Sequence, residues 1–504
     1  PLTRSATTRL RARAFEPGLL PSAVVQHEYY RVIPGILTST PLPIVVIDTR
    51  GQGIPNEPKI AAYMGIISNG AARNAVADPF SHFEGLIGIE VRGQSSQSEP
   101  QQQYAIETRG DDGEDRNVAL LGFPPESDWV LYAPYNDKTL MRNVLAYDAA
   151  NRMGRYASRT IFCELVLNGE YRGVYVFMER IKRAQDRVNI TKLTALQNAP
   201  PQISGGYIIK IDKVDAGDVT FVTDEGTRFI YVYPRSDRVT AAQRAWIRGY
   251  VTNFEASLRS PQFADPVYGY ARYIDVDSFI DTYLLVQACR NIDGLRLSTY
   301  LYKDRDGRLI SGPAWDYNIS LGNANYYNGQ YTNGWYDTGD GFPIPFWWPR
   351  FLQDTNFTAR LRARWQALRK DVLHRTNFPA RIDSIASALS EPQRRHFQRW
   401  PILGTYVWPN YYYSATSYVQ EVSYLKQWAS GRMSWMDGRW NTLIADFAAS
   451  PLTTAVSQTV IFSNLSYGVA NALQWQLGDG TTSSAHHPTH MYNTAGMYDV
   501  TLVI

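Results

Sequence analysis

A chain of 504 residues, 44% hydrophobic and 19% charged, can bury a sizeable core and has room for roughly two to four domains. Its 50 basic and 47 acidic residues leave a net charge of +3, too weak a field to make nucleic acid or an anionic membrane the main partner. No apolar run approaches the ~20 residues of a membrane helix, so no membrane span is expected.

The two cysteines, Cys163 and Cys289, sit in the apolar stretches IFCELVL and LLVQACRNI and read as small buried hydrophobes without a disulfide framework. A chain that starts at Pro1 reads as one from which a leader has been removed or trimmed.

Residues 1–40 read as an irregular arm interrupted by Pro17, Pro21 and Pro34, with Arg9, Arg11 and Arg13 on a solvated extended segment. From residue 41 to 240 short β-branched runs alternate with Gly and Asn turns, as in PIVVIDT, YMGIISN, LIGIEVRG and QQYAIETR. They predict a twisted antiparallel sheet. One helix interrupts it, with Leu140, Val144, Leu145 and Ala149 at helical spacing and a stop at Gly154. Asn168-Gly169 marks a hairpin turn, and GGYIIKID and RFIYVYP supply further strands.

From 241 to 448 the pattern turns helical, with Asp275 or Asp277 capping the second amphipathic stretch. A hairpin turned at DRDG lies inside that half, and 449–504 has the composition of a small β-domain. The whole is an α+β plan with a sheet-rich lobe and a helical lobe.

Two carboxylates bracket the hairpin. Asp293 follows a predicted helix in RNID, and Asp316 stands 23 positions later in GPAWDYNISLGN, behind Trp315. Asp316 reads either as a turn or helix cap or as a ligand of a divalent metal such as Mg²⁺, which takes one or two carboxylates plus substrate oxygens. A hairpin brings its two ends together. Phosphoryl transfer needs that pairing: one carboxylate to orient or deprotonate the acceptor, another to hold the metal on the nucleotide phosphates.

In order along the chain stand IEVRGQSSQ, DWVLYAPYNDKTLMRNVLAYDAANRMG, ELVLNGEYRGVYVFMERIKR, GGYIIKID, RNID and GPAWDYNISLGN. Over residues 40 to 440 this series resembles the CotH family of atypical, secreted protein kinases. The resemblance implies a two-lobed, atypical protein-kinase-like fold that uses ATP with Mg²⁺ or Mn²⁺ to phosphorylate serine in protein partners. It implies Asp293 as the catalytic residue, Asp316 and Asn318 as metal ligands, and Trp315 behind Asp316. It also implies Glu179 and Lys182 near an interlobe hinge; Lys138, Lys182 and Lys210 are this sequence's own candidates to replace the family's phosphate-binding lysine.

The sequence departs from the family at three places. Where one or two lysines usually follow a proline, it reads Pro100-Gln101-Gln102-Gln103; where an Asn follows the catalytic Asp, it has Ser298; and Trp-Asp-x-Asp becomes Trp315-Asp316-Tyr317-Asn318. Each removes a charge or a ligand.

The stretch WQLGDGTTSSAHHPTHMYNTAGMYDVTLVI, with Trp475, Gly478-Asp479-Gly480, His490 and Tyr492, resembles a polycystic-kidney-disease-type (PKD) domain. That implies a C-terminal immunoglobulin-like β-sandwich, export to a bacterial cell surface, and a further strand expected beyond Ile504. His490 is expected to pack and hydrogen-bond, and no metal site is expected from His486, His487 and His490.

Three readings of function follow. One is an exported kinase. Another is a surface scaffold or adhesion protein with weakened nucleotide chemistry, bound to an assembly partner. A third reading places a glycan on the loop aromatics Tyr326, Tyr327, Trp335, Trp347 and Trp348.

Overall fold

Seven of the short apolar runs close into a barrel. The computed structural model describes residues 8–29, 35–336, 343–468 and 472–504. The barrel order is Thr160–Leu167, Glu170–Glu179, Asp128–Tyr132, Gln103–Thr108, Phe83–Arg92, Ile60–Ile67 and Ile44–Asp48. All neighbours are antiparallel except the closing pair, where Ile44–Asp48 runs parallel to Thr160–Leu167. A twisted antiparallel sheet was expected; the parallel closing pair makes it a barrel and explains why Ile44–Asp48 is buried on both faces.

Val45 and Ile47 face the barrel interior with Ile87, Ile106, Leu131 and Phe177, while Ile44 and Val46 pack outside with Leu37, Ile67 and Val166. Asn168 and Gly169 both have positive φ, 51° and 82°, as a two-residue hairpin turn of the right twist requires.

A five-stranded sheet stands apart from the barrel, in the order Thr220–Val222, Arg228–Tyr233, Tyr207–Ile211, Thr299–Lys303 and Leu309–Ser311. It crosses the expected lobe boundary at residue 240: Ile209 pairs with Leu301, and Leu301 with Ser311. The hairpin that carries Asp293 and Asp316 at its ends is thereby clamped to Tyr207–Ile211.

Eight helices are found among the described residues: α1 (Arg142–Arg152), α2 (Ala241–Arg259), α3 (Val276–Cys289), α4 (Trp347–Phe351), α5 (Thr355–Lys370), α6 (Asn377–Ala388), α7 (Pro392–Arg399) and α8 (Tyr418–Trp440). Thr240 and Gln243 form a capping box at the start of α2, and the Asp275 carboxylate accepts the Ser278 N–H at the start of α3. Side chains from α1, α3, α5 and α8 merge with the five-stranded sheet in one large core.

The amino-terminal arm is not irregular. Thr8–Ala12 pairs with Val25–Tyr29, and Pro17 and Pro21 fall in the loop between the strands, where they break no ladder. Arg11 and Arg13 are exposed. Pro34 lies outside the described residues. Cys163 and Cys289 are both buried free thiols.

The tail is two three-stranded sheets around Trp475, which is fully buried with Val460, Phe462, Leu477 and Leu502. His490 Nε2 meets Asp479 Oδ2 at 2.7 Å and its ring packs edge-on against Tyr492. The first tail strand, Phe447–Ser450, begins slightly before the expected boundary at 449.

Candidate functional site

The segment after α3 and the segment after the hairpin meet beneath the barrel strand that ends at Arg92. Asp316 is held in the left-handed region at φ 64°, and Leu295 and Ser298 share that conformation at 71° and 49°. Non-glycine residues adopt it at a cost, and such residues gather where the surroundings over-determine them. Here the restraints are visible: the Asp316 N–H donates to Tyr147 Oη at 3.0 Å, and Asn291 Nδ2 donates to the Asp316 carbonyl at 3.0 Å. Trp315 stacks on Tyr147 at 6.0 Å and meets Tyr300 edge-on at 6.3 Å, fixing the segment from behind.

The Asp316 carboxylate itself is sparsely partnered. Among the described residues only Ser298 Oγ approaches it within hydrogen-bond distance, at 3.4 Å, a weak contact. Burial, then the charges of Asp293 and Asp212, push its pKa up to about 6, against the opposing pull of Arg92 and Ser298. Asp293 is also raised, chiefly by burial, while Arg296 Nη2 pairs with its Oδ1 and Lys213 opposes the shift. Asp212, Asp293 and Asp316 therefore repel one another in one electrostatic neighbourhood. Among the described residues, however, no three His, Cys, Asp or Glu side chains are close enough to hold a metal ion by themselves.

Arg92 faces this cluster. Its guanidinium lies 5.3 Å from the Trp315 ring centre and makes a long 3.5 Å contact to Gln103 Oε1, and burial lowers its pKa while Tyr300 and Asp316 oppose the shift. It is a half-buried cation with no ion-paired carboxylate among the described residues. Lys210 reaches the same rim, bonded to Asp212 at 2.9 Å and 6.0 Å from the Tyr300 ring centre. Burial pulls the Lys210 pKa down, but Tyr300 and Asp212 outweigh it and the net shift is upward.

The other expected residues are engaged elsewhere. Glu179 is fully buried between Arg159, at 2.6 Å, and Arg187, at 3.5 Å. Lys182 bridges Glu126 and Asp128 at 2.7 and 2.6 Å. Lys138 is buried, donates to the Thr405 carbonyl, and has its pKa lowered by burial. Asn318 Nδ2 donates to Asn136 Oδ1 at 3.0 Å, which turns its amide nitrogen toward a network of Asn136, Asn323 and Asn410.

At the place of the family lysines, Gln101 is buried and donates to the carbonyls of Arg172 and Val174. Gln103, the cross-strand partner of Arg92, is the glutamine that reaches toward the site.

Sequence reasoning missed Arg92, Asp212, Tyr147 and Asn291. Arg92 and Asp212 each stand where an apolar strand ends in a charge, in IEVRG and IIKID, and that was the available signal. A narrow cavity lies behind the segment, lined by Met153, Leu285, Val286, Leu295 and Pro313; neither carboxylate lines it.

The loop aromatics divide. Trp347 and Trp348 are buried in α4, with Trp347 Nε1 donating to Glu255 Oε1 at 2.8 Å, so they offer nothing to a glycan. Trp335 is half-buried against Trp435 and Trp440. Tyr326 and Tyr327 remain at the surface, half-buried.

Comparison with known families gives two matches in the order the sequence implies. Residues 89–436 match the CotH kinase protein family, and residues 444–504 match the PKD domain family, whose members are typical of extracellular proteins. No curated protein matches the chain. No helix among the described residues is long and apolar enough to cross a membrane. With more than half of its length inside the first match, the chain belongs to the CotH kinase protein family and carries a PKD domain behind it.

Proposed function

We propose that this chain is an exported, atypical serine protein kinase in which Asp316 holds a divalent metal on the phosphates of ATP and Asp293 receives the acceptor hydroxyl. One observation carries the reading: two acids at the ends of one hairpin share a neighbourhood in which the Asp316 carboxyl is raised to about 6, and Arg92, which forms no ion pair among the described residues, stands over Trp315.

The residues fit a metal of the Mg²⁺ or Mn²⁺ kind. The Asp316 carboxylate, whose contact to Ser298 Oγ is weak, suits an ion that takes its remaining oxygens from phosphates and water. Bound there, the ion would neutralise phosphate charge as it develops in the transition state. Asn318 supplies a neutral oxygen where the family has a second acid, which weakens the site without abolishing it.

The work of the chain's own residues follows. Arg92 and Lys210 supply positive charge toward the phosphates in place of the absent lysines. Asp293, kept in place by Arg296, orients the acceptor hydroxyl and takes its proton. Trp315 and Tyr147 hold Asp316 in its strained conformation.

Calorimetry with Mg²⁺ and ATP, against Mg²⁺ alone, tests this reading. Nucleotide binding that requires the metal, and that falls by at least about tenfold in Asp316→Ala, is expected. Equal binding by parent and variant contradicts it.

The second reading, a surface scaffold that keeps the family's architecture, draws on Gln101. Where a lysine is expected, the Gln101 side chain is buried and its Nε2 donates to the strand carbonyls of Arg172 and Val174. Absence of nucleotide binding at about 1 mM ATP, near −4 kcal/mol, favours this scaffold.

A further inference from the structure

Residues 321–336 and 401–417 contain no Asp, Glu, Lys or Arg, in a chain where 19% of residues are charged. The structure brings these two segments together. Ala324 forms an antiparallel bridge with Asn410, the Asn325 N–H donates to the Pro409 carbonyl, and the Tyr411 N–H donates to the Asn323 carbonyl. Tyr326 stacks on Trp408 at 5.7 Å and 15°, Tyr406 meets Tyr413 edge-on at 5.4 Å, and Asn325 Nδ2 donates to Tyr406 Oη at 3.0 Å.

Trp408 is 54% exposed, and Tyr406, Tyr411 and Tyr413 are each nearly half exposed. A surface so rich in large rings is unusual unless something covers it.

The support beneath it is rigid. Asn410 Nδ2 donates to both Asn323 Oδ1 and the Asn136 carbonyl, and Tyr424 donates to the Gly322 carbonyl. The patch also continues to the candidate site: the Tyr326 pKa is raised by burial and then by the charge of Asp293.

We propose that this platform binds a neutral carbohydrate chain. The ring faces carry negative quadrupole charge and attract the C–H face of a pyranose, while amides and phenol hydroxyls exchange hydrogen bonds with sugar hydroxyls. Neither segment carries a charge of its own, and the nearest charges acting on Tyr326, those of Asp293 and Arg296, are of opposite sign and paired with each other, which disfavours an acidic or basic peptide as the main occupant. The proposal does not depend on nucleotide chemistry.

The test is calorimetry of the full chain with neutral hexasaccharides of glucose, xylose, mannose and N-acetylglucosamine, together with retardation in native gels containing hydroxyethylcellulose. Binding of at least one of them is expected, unchanged in about 0.5 M NaCl. It is expected to weaken at least about tenfold in Trp408→Ala and, separately, in a Tyr406→Ala/Tyr413→Ala variant.

Circular dichroism identifies any variant that fails to fold, and the second variant then decides. Glycan binding retained in Asp316→Ala separates this surface from the nucleotide site. The proposal is overturned by no binding at about 10 mM of every hexasaccharide, by equal binding in folded variants, or by binding confined to an uncharged Tyr- and Asn-rich peptide.

Discussion

Asp316 concentrates the account at the scale of one residue. It combines a left-handed backbone, partial burial and acidic neighbours, and each is unfavourable to the folded state alone. The sign of the effect is definite. A folded-state pKa raised to about 6 means that the fold loses stability as pH climbs from ~4 to ~6, and the loss is complete above that.

Asparagine tolerates the same backbone region and carries no charge. Asp316→Asn is therefore expected to raise the unfolding temperature at pH 7.5 without metal, by the equivalent of about 1–2 kcal/mol after allowance for partial exposure, and to raise nothing at pH 4. Thermal unfolding at the two pH values checks it, and a variant less stable than the parent at pH 7.5 contradicts it. Both acids were legible because each closes an apolar run at one end of a hairpin. The partnership of Arg92 with Trp315 was not, because it joins residues far apart in the chain and nothing local in IEVRG encodes it.

Among the elements, α7 shows how the helical part holds the barrel. His396 is fully buried, its Nδ1 accepts the Val174 N–H at 3.2 Å, and Trp400 Nε1 donates to the Arg172 carbonyl at 2.9 Å. Gly173 makes this approach possible: at φ 99°, a Cβ there would lie 3.0 Å from both rings.

Burial pushes the His396 pKa down to about 3. Below pH 6.5 the unfolded chain takes up a proton that the fold refuses, so stability falls as pH drops from about 6.5 toward 3, by at most ~1.4 kcal/mol per pH unit. Glutamine keeps an acceptor for Val174. His396→Gln is expected to remove about one proton from the pH dependence of urea unfolding between pH 4.5 and 7, and identical slopes contradict the assignment.

Hairpins such as Glu170–Glu179 with its partner were readable from Asn168-Gly169. The barrel closure was not, because apolar residues on both faces of IVVID say only that the strand is buried, and its parallel neighbour lies more than a hundred residues away.

For the molecule as a whole, the sheet that spans the expected lobe boundary matters most. By joining Tyr207–Ile211 to Thr299–Lys303 it places Lys210 and Asp212 beside the hairpin, so residues from three distant stretches share one charge cluster. The order of domains was legible from six motifs and the tail signature; the sharing of that sheet was not, since strand pairing across ninety residues leaves no local pattern. The amide network of Asn136, Asn318, Asn323 and Asn410 then ties the Asp316 segment to the aromatic platform.

In the proposed reading, Asp316 and its neighbours make a metal site which only a nucleotide completes. Electron paramagnetic resonance of Mn²⁺ with the full chain tests it most directly. Little bound Mn²⁺ without ATP, bound Mn²⁺ when ATP is added, and loss of that signal in Asp316→Ala are expected. Tight Mn²⁺ binding without nucleotide, or an ATP-dependent signal that survives in Asp316→Ala, contradicts the account.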